Sequence, residues 1–223
     1  MPLGDMPIPN GGDGDSIGKG CVLWLDSRYF TESFWWDISK YRNDGVVHGA
    51  KWKADAFYFN GSSNYVNCGS SNSLNITEAI TIEAWIKKYG WGNSNYPRIV
   101  DKYPAPCMYL HHFGDLCWYG EIGGESVDEH ICEDVLVDNE WQQLVLSYNN
   151  EDHTIRGYVN GEPKGSCDKY SGNLSTTANP LIVGNRESLD RAYYGLFGIL
   201  RIFKVCLTDE VIKELFNLTY RRW

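Results

Sequence analysis

Short stretches of alternating apolar and polar residues, separated by turn residues, run through the chain from Cys21 onward. Successive side chains of a strand point to opposite faces, so this alternation is typical of strands with one buried face. We predict strands at residues 21–26, 55–59, 64–68, 79–88, 97–102, 107–111, 116–122, 141–149, 153–159, 180–184 and 196–205. Many short strands at this spacing indicate an all-β antiparallel sandwich or barrel.

The segment 79–88 shows how one of these strands would be oriented. Its core face is predicted to carry Ile82, Ala84 and Ile86, because these residues occupy alternate positions. The opposite face is predicted to carry Thr81, Glu83, Trp85 and Lys87.

Two local signals add a turn and a helix to this pattern. Asn160 and Gly161 follow a predicted strand, and Asn-Gly is the pair that best adopts the positive φ angles of a type I′ turn. The segment Thr208 to Asn217 is predicted to be a helix, with Thr208 as its cap and with acidic residues next, at the positive end of the helix dipole. The sandwich should therefore end in a short C-terminal helix.

The first 19 residues differ from the rest of the chain. Residues 1–19 are rich in Pro, Gly and Asp, which cannot bury enough apolar surface to offset the entropy of ordering. We predict a flexible arm at 1–19 and one β-sandwich domain at 20–223, since sandwiches of this length form single domains. Such an arm could reach copies of the same chain or other subunits of an assembly.

Charge and hydropathy exclude two classes of partner. The formal net charge of −9 repels phosphate backbones, so we expect no nucleic acid partner. No apolar run approaches the roughly 18 residues that a membrane span needs, so we expect no membrane insertion. Residues 1–10 do not resemble a signal peptide, because Pro, Gly and Asp stand where the apolar stretch would lie.

The seven cysteines show no C-x-x-C spacing, so neither a zinc ribbon nor a thioredoxin-like site is expected. Cys107 and Cys117 flank a predicted hairpin centred near His112. A symmetric register would place the two cysteines opposite each other, within reach of a disulfide. Free thiols in the core are the alternative.

Several segments, in order between residues 21 and 217, resemble the laminin G-like branch of the concanavalin A-like lectin and glucanase superfamily. They are VLWL (22–25), WDIS (36–39), NDGVVHGA (43–50), FYFNGSSNYV (57–66), ITIEAWIK (80–87), WQQLVLSY (141–148), YVNGE (158–162), LIVG (181–184), YGLFGILRIF (194–203) and LTDE (207–210). The resemblance implies a jelly-roll β-sandwich of the concanavalin A-like kind over residues 20–223.

The resemblance also bears on cofactors. Members of this superfamily often hold a structural calcium ion, but Asn60 stands where their hairpin has Asp, and residues 198–200 lack the usual acidic pair. Calcium prefers several oxygen ligands that include carboxylates. A structural calcium therefore stays an open alternative, and no cofactor is expected to be required.

Catalysis is not expected. Glucanases of this superfamily place three acidic residues at alternate positions of one strand, which holds two carboxylates on one face. Here Gly123 occupies the middle position between Glu121 and Glu125, and Ile131 occupies it between Glu129 and Glu133. We interpret these glutamates as solvated loop acids and the chain as not an enzyme; a glycoside hydrolase is the less favoured alternative.

Aromatic and polar residues in predicted loops are candidates for ligand binding. Aromatic rings stack on the apolar faces of sugars, while amide and carboxylate side chains can hydrogen-bond to hydroxyls. The candidates are Trp91, Asn93, Tyr96, His111, His112 and Trp118. For Trp118, burial in the core is the alternative. Adjacent His111 and His112 are expected on opposite faces of a strand, unable to share a metal ion, so the metal ligands are unknown.

Two functions fit these features. The first is a non-catalytic, lectin-like recognition module that binds carbohydrate, a glycoprotein or another protein partner in adhesion at a cell or particle surface. The second is a structural subunit of a virion or other assembly, in which the sandwich is a scaffold and residues 1–19 contact neighbouring copies. Both place the protein outside the cell or on a particle or virion surface, without a recognisable signal peptide.

Overall fold

The structure is a computed structural model that describes residues 18–223. The predicted arm at 1–19 therefore lies outside the described residues, except for its last two positions. The strands are β1 (Cys21–Phe30), β2 (Phe34–Asp37), β3 (Gly45–His48), β4 (Lys51–Lys53), β5 (Ala56–Asn60), β6 (Tyr65–Asn67), β7 (Ala79–Gly90), β8 (Arg98–Asp101), β9 (Cys107–His111), β10 (Asp115–Ile122), β11 (Glu125–Cys132), β12 (Trp141–Asn149), β13 (Thr154–Val159), β14 (Glu162–Cys167), β15 (Ile182–Val183) and β16 (Tyr194–Phe203). One α-helix, α1 (Asp209–Thr219), and two 3₁₀ turns, Asn72–Leu74 and Tyr220–Arg222, complete the described part.

The strands pair antiparallel in the order β11-β10-β9-β8-β15-β6-β3-β2-β1-β16-β7-β12-β13-β14, with β5 beside β16 and β4 beside β5. The sheet folds over itself into two layers, and β11 lies against β13 and β14, so the sandwich is nearly closed. Gly165 permits this approach, because a Cβ there would lie 1.7 Å from the carbonyl oxygen of Ile131. The predicted antiparallel architecture with a short C-terminal helix is confirmed.

The core between the layers follows from the alternation in the sequence. Ile82, Ala84 and Ile86 of β7 lie in it, as predicted, together with Leu200 of β16 and Trp118 of β10. The turn at Asn160 and Gly161 also forms as predicted, with φ angles of 53° and 75°.

We call the layer that contains β7 the second layer, and α1 covers its outer side. Trp85 is 2% exposed and stacks on Phe216 of the helix, with ring centroids 5.7 Å apart. Ile212 and Leu215 of the helix lie in the same apolar cluster. The helix begins after Thr208, whose side chain accepts a hydrogen bond from the backbone N–H of Val211, as the predicted cap requires.

Strands β8–β11 belong to the other layer, which we call the first. Its outer side carries no helix among the described residues, and we call this side the open face. Its side chains come from the positions that alternate with core residues: Arg98 of β8, Tyr109 and His111 of β9, Tyr119 of β10 and Asp128 of β11.

The predicted disulfide is wrong. In the β9–β10 hairpin, Cys107 lies opposite Tyr119 and Cys117 lies opposite Tyr109, because the turn is centred on Phe113 and not on His112. All seven cysteines are free, which was the alternative. Burial raises the pKa of Cys117 to about 12, so its thiol stays protonated at neutral pH.

Five strands were not predicted: β2, β3, β4, β11 and β14. The acidic residues Glu125 and Glu129, interpreted from the sequence as loop acids, lie in β11. Polar side chains are tolerated there because β11 is an end strand of the sheet order, where one side has no ladder partner.

Candidate functional site

The open face carries a continuous series of aromatic and cationic contacts. Arg98 lies between the rings of Tyr109 and Tyr119, with its Cζ atom 4.6 Å and 4.7 Å from their centroids. Tyr96 lies 6.4 Å from Tyr109 and 5.1 Å from His111, measured between ring centroids. One surface therefore joins residues from β8, β9 and β10 and from the loop before β8.

A hydrogen bond and an ion pair fix the centre of this face. The hydroxyl of Tyr109 donates to Oδ1 of Asp128 at 2.6 Å, and Nε of Arg98 forms an ion pair with Oδ2 of Asp101 at 3.1 Å. Arg98 is almost fully buried, and neither its Nε atom nor its Nη1 atom has a hydrogen-bond partner among the described residues. Burial of an ion in this way requires strong neighbours, and the two tyrosine faces and the carboxylate supply them.

A cavity of about 500 Å³ opens at one end of this face, and we call it the tyrosine cavity. Tyr103 and Tyr119 form one wall, stacked with centroids 5.1 Å apart and planes 17° apart. Its lining consists of Asp101, Tyr103, Tyr119, Asn179, Pro180, Arg186, Glu187 and Ser188. This volume lies in the range of pockets that bind small molecules.

The cavity presents both signs of charge. Burial raises the pKa of Asp101, although Arg98 beside it acts in the opposite direction. Nη2 of Arg186 donates to Oδ2 of Asp190 at 2.6 Å, and this bond lowers the pKa of the Asp190 carboxyl. Exposed Glu187 adds a further carboxylate at the cavity. Such groups can bind several hydroxyls of one ligand, beside a flat aromatic wall.

A group of imidazoles occupies the other end of the series, and we call it the histidine cluster: His111, His112, His130 and Asp115. The rings of His112 and His130 each lie 4.4 Å from that of His111, measured between centroids. Nδ1 of His130 lies 2.6 Å from Oδ2 of Asp115. Burial, with His130 and His112 nearby, lowers the pKa of His111. Two imidazoles and a carboxylate are a donor set that suits a transition metal ion.

The expectation that His111 and His112 face opposite ways is wrong. Strand β9 ends at His111, and His112 belongs to the following turn, so the alternation of a strand does not apply to this pair. His111 finds a partner on another strand instead, namely His130 of β11. The sequence does not point to His130, because the segment that forms β11 lacks the apolar alternation that predicts a strand.

The predicted binding residues fall into three groups. Tyr96, His111 and His112 lie together at the open face. Trp118 is 0% exposed and lies in the core, so its assignment to a binding surface is wrong and the alternative holds. Its neighbour Tyr119 takes the outward position because successive strand residues alternate.

Trp91 and Asn93 lie in a separate place. Trp91 is half-buried, packs against the core and has Nζ of Lys88 3.9 Å from its ring centroid. The backbone N–H of Asn93 donates to the carbonyl oxygen of Gly61 at 2.8 Å. No ring contact joins Trp91 to the open face among the described residues, so a role for this pair in the same site has no geometric support.

Comparison with known families adds to this geometry. A model described as the concanavalin A-like lectin/glucanases superfamily, Laminin_G_3, matches residues 60–213. The protein belongs to the concanavalin A-like lectin/glucanase superfamily. A search of the curated proteins finds no match.

Solved structures with a similar fold include binding domains of Paraclostridial Mosquitocidal Protein 1 and of botulinum neurotoxin. The binding domain of Paraclostridial Mosquitocidal Protein 1 matches with a TM-score of 0.70 and 17% identity, over 90% of this chain and 52% of that one. The binding domain of botulinum neurotoxin DC matches in complex with rat synaptotagmin II (TM-score 0.67, 17% identity, 91% and 52% covered). It also matches in complex with SialylT (TM-score 0.63, 16% identity, 91% and 52% covered). This superfamily member thus spans about half the length of those chains, and the likeness at such identity establishes the fold.

Two positions at which this chain departs from the superfamily's pattern, Asn60 and Gly198, have structural roles here. The side-chain oxygen of Asn60 accepts backbone hydrogen bonds from Ser62 and Ser63 at 3.0 Å each and from Asn64 at 3.3 Å. Gly198 makes room for the terminal tryptophan, because a Cβ there would lie 2.4 Å from the ring of Trp223. Both positions serve the packing of this chain.

The acidic pairs considered in the sequence analysis do not each lie on one strand. Glu121 lies on β10 and Glu125 on β11, while Glu129 lies on β11 and Glu133 follows the end of that strand. Glu121 accepts a hydrogen bond from Ser175, and Glu129 accepts one from Tyr170.

Within residues 18–223, no helix has the length and apolar character needed to cross a membrane.

Proposed function

We propose that this protein is a non-catalytic recognition module that binds carbohydrate in the tyrosine cavity of its open face, at a cell or particle surface. The observation that carries the proposal is the stacked pair Tyr103 and Tyr119, which walls a cavity of about 500 Å³. A flat aromatic wall offers a surface to the C–H face of a sugar ring. The acidic, amide and guanidinium groups opposite can take its hydroxyls.

The exposure of the pair suits this role. Tyr103 is 39% exposed, so a ligand can reach the face of its ring that is not stacked on Tyr119. Arg98 lies over Tyr119 and holds that ring in place, so Tyr119 supports Tyr103 from behind before a ligand arrives. A preformed wall reduces the entropy lost on binding.

Similarity to binding domains supports a recognition role in general terms. The binding domain of botulinum neurotoxin DC is described in complex with SialylT and also in complex with rat synaptotagmin II, so a domain of similar fold binds both of these partners. Since this chain spans about half of them, the ligand proposed here rests on the cavity and not on those complexes.

A glycan array probed with the full chain tests the proposal. The best glycan from the array is then titrated calorimetrically into wild-type protein, Tyr103→Ala and Tyr103→Phe. Loss of the ring should weaken binding about tenfold or more, because stacking contributes about 1 kcal/mol in addition to the apolar area that the ring buries. Tyr103→Phe keeps the ring and should retain most of the affinity.

Tyr220→Ala is the matched control, because Tyr220 is an exposed tyrosine beside α1 and is not part of the cavity lining. It should bind the glycan as the wild type does. The proposal fails if no glycan on the array binds, or if Tyr103→Ala binds with unchanged affinity while thermal unfolding shows it folded. Release of reducing sugar from the bound glycan would contradict the non-catalytic role.

A further inference from the structure

We propose that His111, Asp115 and His130 form a binding site for a divalent transition metal ion of the Zn²⁺ class at the histidine end of the open face. This goes beyond the proposed function, because the three residues are not part of the tyrosine cavity. The two sites can therefore be tested independently.

The donor atoms are already close together. One donor atom from each of the three residues lies within 4.8 Å of the other two. Oδ2 of Asp115 lies 2.6 Å from Nδ1 of His130 and 3.9 Å from Nδ1 of His111. Bonds of roughly 2.0–2.1 Å in a tetrahedral zinc site place donor atoms about 3.3 Å apart. The Asp115–His130 separation is shorter than this value and the Asp115–His111 separation is longer, so small side-chain rotations complete the site.

The three residues are held by neighbouring strands. His111 ends β9 and Asp115 begins β10, and the two lie directly opposite each other in the hairpin. His130 lies on β11 opposite Cys117, next to a bulge in the β10–β11 pairing. Each donor therefore comes from a separate strand of one sheet, which fixes its position better than a loop would.

The carboxylate is oriented by the backbone. Oδ1 of Asp115 accepts a hydrogen bond from the backbone N–H of Asp134 at 2.8 Å, which leaves Oδ2 directed to the imidazoles. Orientation of a metal-binding carboxylate by a second hydrogen bond is a usual feature of metal sites.

The histidines also have nitrogen lone pairs in suitable places. Nδ1 of His111 accepts a long hydrogen bond of 3.3 Å from the backbone N–H of Phe113, so this nitrogen carries a lone pair and not a proton. Nδ1 of His112, in the adjoining ring, is buried and has no hydrogen-bond partner among the described residues. A metal ion would replace the weak contact at His111 and the proton between His130 and Asp115.

The donor set selects the class of ion. Two imidazoles with one carboxylate suit Zn²⁺ and its neighbours, whereas Ca²⁺ requires mainly oxygen ligands. The side chain of His130 is 35% exposed, so an ion can enter from solvent. Three protein ligands leave a coordination position for water or for an oxygen of a ligand.

Calorimetric titration of the full chain, first treated with EDTA, tests the site with ZnCl₂ and with CaCl₂. The wild type should bind one Zn²⁺ per chain and no Ca²⁺. His130→Gln and His111→Gln should each weaken Zn²⁺ binding at least about 100-fold, because each removes a ligand from a three-residue site. His153→Gln is the matched control, since His153 lies in the exposed turn between β12 and β13 and should leave binding unchanged.

Cobalt spectroscopy on the wild type separates this site from cysteine binding without any variant. Co²⁺ bound by His and Asp should show ligand-field bands and no thiolate-to-cobalt charge-transfer band. A thiolate band, or the absence of any Zn²⁺ binding, would overturn the proposal. Unchanged Zn²⁺ affinity in both histidine variants, with their unfolding in EDTA matching the wild type, would overturn it as well.

Discussion

The carboxylate of Glu83 lies on the outer side of the second layer, and its side chain is fully buried. Nη1 of Arg201 and Nε2 of Gln143 each donate a hydrogen bond to it at 2.8 Å. The guanidinium of Arg201 also lies over the ring of Trp24, 4.7 Å from its centroid. An ion buried in this way depends on its partner, because it cannot recover its hydration.

We therefore expect Arg201→Met to destabilise the protein by about 3 kcal/mol or more in urea unfolding, because it leaves Glu83 buried without its counter-ion. The control is Arg156→Met, which breaks the ion pair with the more exposed side chain of Asp152. That change should cost less than about 1 kcal/mol, as surface ion pairs do. Equal effects of the two substitutions would contradict the assignment.

Single residues show where sequence reasoning succeeds and fails. Alternation correctly places Ile82 in the core, and it places Trp118 and Tyr119 on opposite faces. It does not reveal that the second face of β7 is also buried, because that depends on a helix more than a hundred residues later. The sequence places the hairpin centre at His112, one residue before its true centre at Phe113. This shift pairs Cys107 with Cys117, whereas its partner in the structure is Tyr119.

At the scale of elements, helix α1 decides which face of the sandwich stays accessible. The predicted helix, Thr208 to Asn217, matches the observed Asp209–Thr219 because its cap and apolar stripe are local signals. Strands β11 and β14 were missed because their sequences, ESVDEHIC and EPKGSC, lack a clear apolar alternation. Their pairing is fixed by neighbours that are distant in sequence.

The docking of this helix can be tested with two of its leucines that differ in exposure. Leu215 is 1% exposed and Leu218 is 64% exposed. We expect Leu215→Ala to lower the free energy of unfolding by about 2–5 kcal/mol, because it leaves a cavity against the sheet. Leu218→Ala should change it by less than about 0.5 kcal/mol. Chemical denaturation measures both, and a Leu218→Ala effect as large as that of Leu215→Ala would refute the docking.

At the scale of the whole molecule, the two outer sides of the sandwich differ. One side carries an apolar cluster that α1 covers, while the other carries Arg98, Tyr109 and Tyr119 and borders the tyrosine cavity. The antiparallel architecture was predictable from the sequence, because hydrophobic alternation is repeated along the chain. The cavity was not, because its walls come from distant segments near residues 101–103, 119 and 179–188 that meet only in the folded chain.

The most direct test of the central claim is hydrogen–deuterium exchange of the full chain with and without the best glycan from the array. If the open face is the binding surface, the glycan should slow exchange in residues 98–103, 115–122 and 184–191. Helix α1 should exchange at the same rate in both samples. Protection confined to α1 or to the β4–β5 hairpin, with the open face unchanged, would contradict the account.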